Sequence, residues 1–138
     1  MAKTILTGAF LAVGAGAVDL SDHVRSISID LKTDIIDATC MTNTYKDKLA
    51  GFTDWSVDVE FAQDYASGKV DATLFPLIGT SVALVIRPSS AARSATNPEF
   101  TGSGIMESYS PLSGKVSDLN TNKVKFAGTA TLLRNVTP

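Results

Sequence analysis

Few residues of this 138-residue chain have the side-chain chemistry of a catalyst or a metal ligand. His23 is its one histidine and Cys40 its one cysteine. Carboxylates fall in three close pairs, Asp19/Asp22, Asp34/Asp37 and Asp58/Glu60. A nucleophilic triad needs a base beside its Ser or Cys, and only His23 has that role to offer. No G-x-S-x-G elbow accompanies it, since Gly102-Ser103-Gly104 lacks the flanks. A single Cys excludes an internal disulfide and supplies at most one metal ligand, and no second His exists for an imidazole cluster. Gly14-Ala15-Gly16 begins like a dinucleotide loop, but position 19 is Asp where the third glycine belongs. Asp58 and Glu60 are the most suggestive pair. On one face of a strand they stand about 7 Å apart by strand rise, within the range used by inverting glycosidases. Strands also place acids on solvent faces, and nothing else in the sequence marks either one as a general acid. The residues read as non-enzymatic, with no metal and no cofactor. Asn135-Val136-Thr137 fits a glycosylation pattern, which has meaning only in a secreted eukaryotic chain.

The elements that must position these groups are mostly strands. Trp55, Val57, Val59 and Phe61 alternate with Ser56, Asp58 and Glu60. Successive strand side chains point to opposite faces, so this is a strand with one dry and one acidic face. His23–Lys32 repeats the pattern, with Ile27, Ile29 and Leu31 on one face. Between these two strands, Thr33–Asp54 reads as a long, mostly irregular segment. Ser67 is expected to cap a short helix over 68–78, with Val70, Leu74, Leu77 and Ile78 on one side, Pro76 shortening it and Gly79 ending it. Val82–Ile86 is mostly apolar, as in a strand covered on both faces. Phe100–Tyr109 is a further strand. Lys123–Arg134 closes the chain, with Val124, Phe126, Ala130 and Leu132 inward and Lys123 and Lys125 outward. The expected fold is mainly β: one domain over 1–138, an antiparallel sandwich or barrel with a flanking helix (68–78) and a long loop (33–54).

Composition narrows the function classes. The chain is 44% hydrophobic and 19% charged, with a net charge of −2. Gripping nucleic acid takes clustered Lys and Arg, which this balance does not supply. Enclosing nucleic acid without holding it remains compatible. At the N-terminus, Lys3, the apolar run Ile5–Val13 and Ala15-Gly16-Ala17 have the outline of a short signal peptide, although Thr7 and Gly8 interrupt the run. The run is too short to span a membrane, which takes about 20 apolar residues.

Several stretches carry a resemblance in their order along the chain. They are Val18-Asp19-Leu20-Ser21-Asp22-His23-Val24, Lys48-Leu49-Ala50-Gly51-Phe52-Thr53-Asp54-Trp55-Ser56-Val57 and Phe61-Ala62-Gln63-Asp64-Tyr65. Asp71–Gly79, Arg87-Pro88 and Ser94–Gly102 continue the series. With these the chain resembles the major tail tube proteins of long-tailed, siphovirus-type bacteriophages. The resemblance implies a structural protein of the virion tail, assembled in the host cytoplasm. Its fold would be a β sandwich with a flanking helix. Hexameric rings would stack into a tube whose inner sheets close into a continuous barrel, and DNA would pass down the lumen without specific binding. Partners would be further copies of the chain, the tail tip or baseplate, the tape measure and the terminator. The segment Thr33–Asp54 would reach the next ring through Met41, Tyr45, Leu49 and Phe52, unless these pack onto the protein's own core. Asp58 and Glu60 would face either the lumen or outer solvent. Two other readings stand beside this one: a tail terminator or other ring protein on the same fold, and a secreted β-sandwich binding module.

Overall fold

The structure, a computed structural model, describes residues 3, 5, 6, 8–14 and 18–137. The Ala15-Gly16-Ala17 of the signal-like outline lies outside them. The strands are β1 (Phe10–Val13), β2 (Val18–Asp19), β3 (Val24–Asp37), β4 (Lys48–Ala62), β5 (Ser81–Arg87), β6 (Glu99–Tyr109), β7 (Thr121–Gly128) and β8 (Leu133–Asn135). All pairings among these strands are antiparallel, in the order β2-β1-β5-β6-β7-β4-β3, with β8 paired to β6. The mainly antiparallel fold with one short helix agrees with the expectation from sequence.

Alternation explains the core. Trp55, Val57, Val59 and Phe61 of β4 are buried together with Val82, Leu84 and Ile86 of β5, and with Val124 and Phe126 of β7. One sheet supplies all of these, so it must roll until its inner face meets itself, as a β sandwich does. Each large side chain removed from water contributes roughly 1.5–3 kcal/mol. The helix α1 (Val70–Leu74) closes the open side with Val70 and Leu74, both fully buried. A 3-10 turn over Phe75–Leu77 follows, where Pro76 has shortened the helix as its missing N–H requires. The end of the apolar N-terminal run is also core: Leu11, Ala12 and Val13 are buried in β1, whereas Ile5 and Leu6 are exposed. Removing it as a signal peptide would strip a strand from the sheet.

Four expectations need correction. Thr33–Asp54 is not a long loop. β3 runs on to Asp37 and β4 starts at Lys48, leaving only 38–47 irregular. Cross-strand pairing extends both strands where side-chain alternation does not mark them. Ser67 caps nothing: the N-cap is Lys69, without a side-chain bond. The Asp64 carboxylate accepts the Ala66 N–H at 2.9 Å and its carbonyl accepts the Asp71 N–H at 3.0 Å, taking over the turn. β5 is covered on one face only, for Ser81 and Ala83 are exposed. The closing strand breaks after Gly128, leaving Ala130 exposed, and β8 then takes the edge of β6 that β7 leaves free.

Trp55 rests on two glycines. Its indole N–H donates to the Ala130 carbonyl at 2.5 Å. A Cβ on Gly128 would stand 2.3 Å from the ring, and one on Gly102 would stand 2.8 Å from it. Only residues without a side chain leave room for the ring here.

Candidate functional site: an apolar ribbon and a charge-patterned face

β3 and β4 form a hairpin longer than the sheet that carries it. Ser56–Phe61 of β4 is paired on both edges, to β3 and to β7, whereas Lys48–Trp55 is paired to β3 alone. At about 3.3 Å per residue, the outer ribbon extends roughly 20 Å beyond the sheet before its loop begins. Between Thr33↔Thr53 and Ile35↔Ala50 the register slips, two residues (Gly51, Phe52) facing one (Asp34), which is a bulge. Beyond it Ile35 lies opposite Ala50 and Ile36 opposite Leu49. Adjacent pairs point to opposite faces, so both faces of the ribbon are apolar.

The connecting loop is internally bonded. Ala38 N–H donates to the Asp47 carbonyl at 2.8 Å, and Cys40 N–H to Asn43 Oδ1 at 2.7 Å. The Asp37 carboxylate accepts the Thr39 N–H at 2.9 Å, and bonding from Thr39 holds its carboxyl below the usual range. This scaffold presents Met41 and Tyr45 to solvent, while the ribbon presents Leu31, Ile35, Ile36, Leu49 and Phe52. Tyr45 is 87% and Phe52 88% exposed. The four residues singled out from sequence, Met41, Tyr45, Leu49 and Phe52, therefore do not pack onto the protein's own core. The sequence reading missed Leu31, Ile35 and Ile36, although adjacent isoleucines in a strand were the available sign of a surface apolar on both sides. A two-stranded ribbon in water is marginally stable by itself, and exposed apolar area of this extent marks an interaction surface.

Asp58 and Glu60 lie on the outer face of the sheet, as alternation requires. Asp58 is opposite Ser28 and Lys125, and Glu60 is opposite Ser26 and Lys123. Glu107 approaches Lys125 at 3.7 Å. The face is thus not a bare acidic wall. Each carboxylate has a β7 ammonium as its cross-strand neighbour, and Asp30, Lys32 and Asp54 continue the mixed pattern along the hairpin. The outward turn of Lys123 and Lys125 was legible in the sequence; their pairing with these acids was not.

His23 sits at the root of the hairpin. Its Nδ1 is 2.7 Å from Asp22 Oδ1 and its Nε2 is 2.9 Å from Asp64 Oδ2. The bond to His23 holds the Asp22 carboxyl below its ordinary range. The Ala66 N–H, and then His23, do the same for Asp64. No serine or cysteine reaches this imidazole through the hydrogen bonds of the described residues, and no group of three or more His, Cys, Asp or Glu among them is placed to hold a metal. Carboxyls with depressed folded-state values bind fewer protons when folded. Their contribution is therefore complete above the ordinary carboxylate range, near pH 4, and fades as pH falls through the lower folded values. Denaturant titrations at pH 5 and pH 2.5 should show His23→Ala losing less stability on acidification than the unsubstituted chain. An equal loss would remove His23 from this role.

The backbone as a whole superposes on solved structures. The chain superposes on a subunit from the "tail of empty GTA particle computed with helical refinement, C6 symmetry" at a TM-score of 0.70 and 14% identity, covering 91% of this chain and 96% of that one. It superposes on the SPP1 tail tube, a hybrid solid-state NMR and cryo-EM structure, at 0.72 and 10% identity, covering 94% and 77%. The chain has the tail-tube fold. A third match, from the virion of the native gene transfer agent particle, gives 0.65 at 13% identity, covering 91% and 95%. No protein-family model and no curated protein sequence matches the chain. No described helix is long and apolar enough to cross a membrane.

Proposed function

We propose that the chain is a structural, non-enzymatic subunit of a phage-type virion tail, forming hexameric rings that stack into a tube through which DNA is delivered. The observation that carries this reading is the ribbon, apolar on two faces and uncovered, on a tail-tube fold. A neighbouring copy supplies the cover it lacks. Met41, Tyr45, Leu49 and Phe52 would be buried against the next ring. The open edge of β3 would pair with the next subunit, removing an exposed strand edge. Tail tip or baseplate, tape measure and terminator proteins would bind at the ends and inside. Electron microscopy of the purified protein tests this: long tubes are expected, isolated rings would favour a terminator, and monomers at every concentration and salt would overturn it.

In this reading the outer face of β4 and β7 lines the lumen. A ring of six would carry about −12, six times the −2 of one chain. The lysines opposite Asp58 and Glu60 are offset by those carboxylates, so the wall neither grips phosphate nor repels it uniformly. Asp58→Lys with Glu60→Lys leaves the β4–β7 face without that offset. Tubes should still form, and DNA ejection should slow on the order of tenfold at low salt, recovering as salt rises. Unchanged ejection at low salt would place this face outside the lumen.

A further inference from the structure

A second apolar surface lies at the other end of the subunit. β4 runs from the 38–47 loop to Ala62, where it pairs with Thr121, and Tyr109 pairs with Val124. The connection 110–120 between β6 and β7 therefore sits at the end of the strands opposite the ribbon tip. It presents Leu112, Val116 and Leu119 to solvent, Val116 being 97% exposed, with Tyr65 beside them. This connection is braced. The Tyr65 hydroxyl donates to the Pro111 carbonyl at 2.7 Å and accepts from Asn120 Nδ2 at 3.0 Å. Gln63 Nε2 donates to the same carbonyl at 2.6 Å, and Gln63 N–H to the Asn120 carbonyl at 2.9 Å. A braced loop loses little freedom when something settles on it.

We infer that the surface formed by Tyr65, Leu112, Val116 and Leu119 is the seat for the ribbon tip of the copy in the adjoining ring. The inference rests on the tube reading and names the receiving half of its ring-to-ring contact. A second copy is the occupant because one chain carries both halves at opposite ends of the same strands. Joining tip to seat uses one half of each copy, so a growing row always keeps one free tip at one end and one free seat at the other. Such a head-to-tail contact does not close on itself but propagates. It also covers both exposed apolar patches with a single contact.

Cys40 offers a probe, since its free thiol is exposed in the tip loop. Leu112→Cys, Val116→Cys and Leu119→Cys, made singly, place a second thiol on the seat. A disulfide forms only when the two Cα atoms come within about 7 Å. Tubes of at least one variant, oxidised and run without reductant, should give a ladder of trimers and longer chains. The unsubstituted protein, with one thiol, should give at most dimers, and Cys40→Ser in the same variant should abolish the ladder. A variant that does not assemble alone is oxidised in mixed tubes with the unsubstituted chain. There, mass mapping should find Cys40 joined to the introduced thiol. Tubes from which all three positions yield no such link would overturn the seat and leave the tube reading standing. Failure of the unsubstituted chain to form tubes would overturn both.

Discussion

Tyr45→Asp with Phe52→Asp should leave the subunit folded and eliminate tube growth. Both side chains stand almost wholly in solvent, so their removal takes nothing from the core, and surface changes of this kind usually stay within about 0.5 kcal/mol. In an assembled tube the same two rings would be buried. Aromatic residues that fill an interface typically cost about 2 kcal/mol or more each when removed, roughly thirtyfold in affinity per contact. Burying a carboxylate without a partner adds to that cost. Together the substitutions should raise the concentration needed for assembly about a thousandfold, beyond practical reach. Sedimentation velocity would show a small species in place of tubes, and circular dichroism would show an unchanged β spectrum. If the aromatics served the monomer instead, melting would shift and assembly would fall only in proportion. Tubes of normal length at normal concentration would refute the ribbon as an assembly surface.

Gly128→Ala should be the most damaging glycine-to-alanine change among the described residues. The new Cβ would stand 2.3 Å from Trp55 Cε2 and 2.4 Å from its Nε1, well inside van der Waals contact. The indole is pinned at two points. Its N–H is bonded to Ala130 and Gly102 lies against another part of its ring. Overpacking a tight core costs about 1–3 kcal/mol, and a rigid ring held at several points belongs at the upper end. For a domain of this size about 3 kcal/mol lowers the melting temperature by roughly 10 °C. Trp55→Ala alone should cost about 4 kcal/mol through the lost transfer energy and the cavity. The double variant decides the mechanism. With the ring gone, the added methyl enters open space, so Trp55→Ala/Gly128→Ala should be no less stable than Trp55→Ala alone. Strictly additive losses would show that Gly128 is needed for its backbone and not for the room it leaves.

These two sites differ in how far the sequence disclosed them. The strand through Trp55 was legible because Trp55, Val57, Val59 and Phe61 alternate with polar residues, and a period of two is a local property. The same reasoning correctly turned Lys123, Lys125, Asp58 and Glu60 outward. It failed for Thr33–Asp54 because alternation reports a strand only where one face is dry and the other wet. Ile35 and Ile36 are adjacent, and Phe52 falls in a bulge, so a ribbon apolar on both sides resembled an irregular segment. The helix start was misplaced for a related reason. Ser67 has the right chemistry for a cap, but Asp64 already holds the turn and His23 holds Asp64.

The sequence alone determined which faces are dry, the scarcity of catalytic groups, the exclusion of an internal disulfide, and a net charge unsuited to gripping DNA. These follow from composition and from neighbours along the chain. Only the tertiary structure decided that Trp55 rests on Gly128, that Lys123 and Lys125 stand opposite Glu60 and Asp58, and that the apolar ribbon and the 110–120 connection occupy opposite ends. Each of these relations depends on strand register, and register joins residues tens of positions apart through backbone pairing that carries no mark of its own in the sequence.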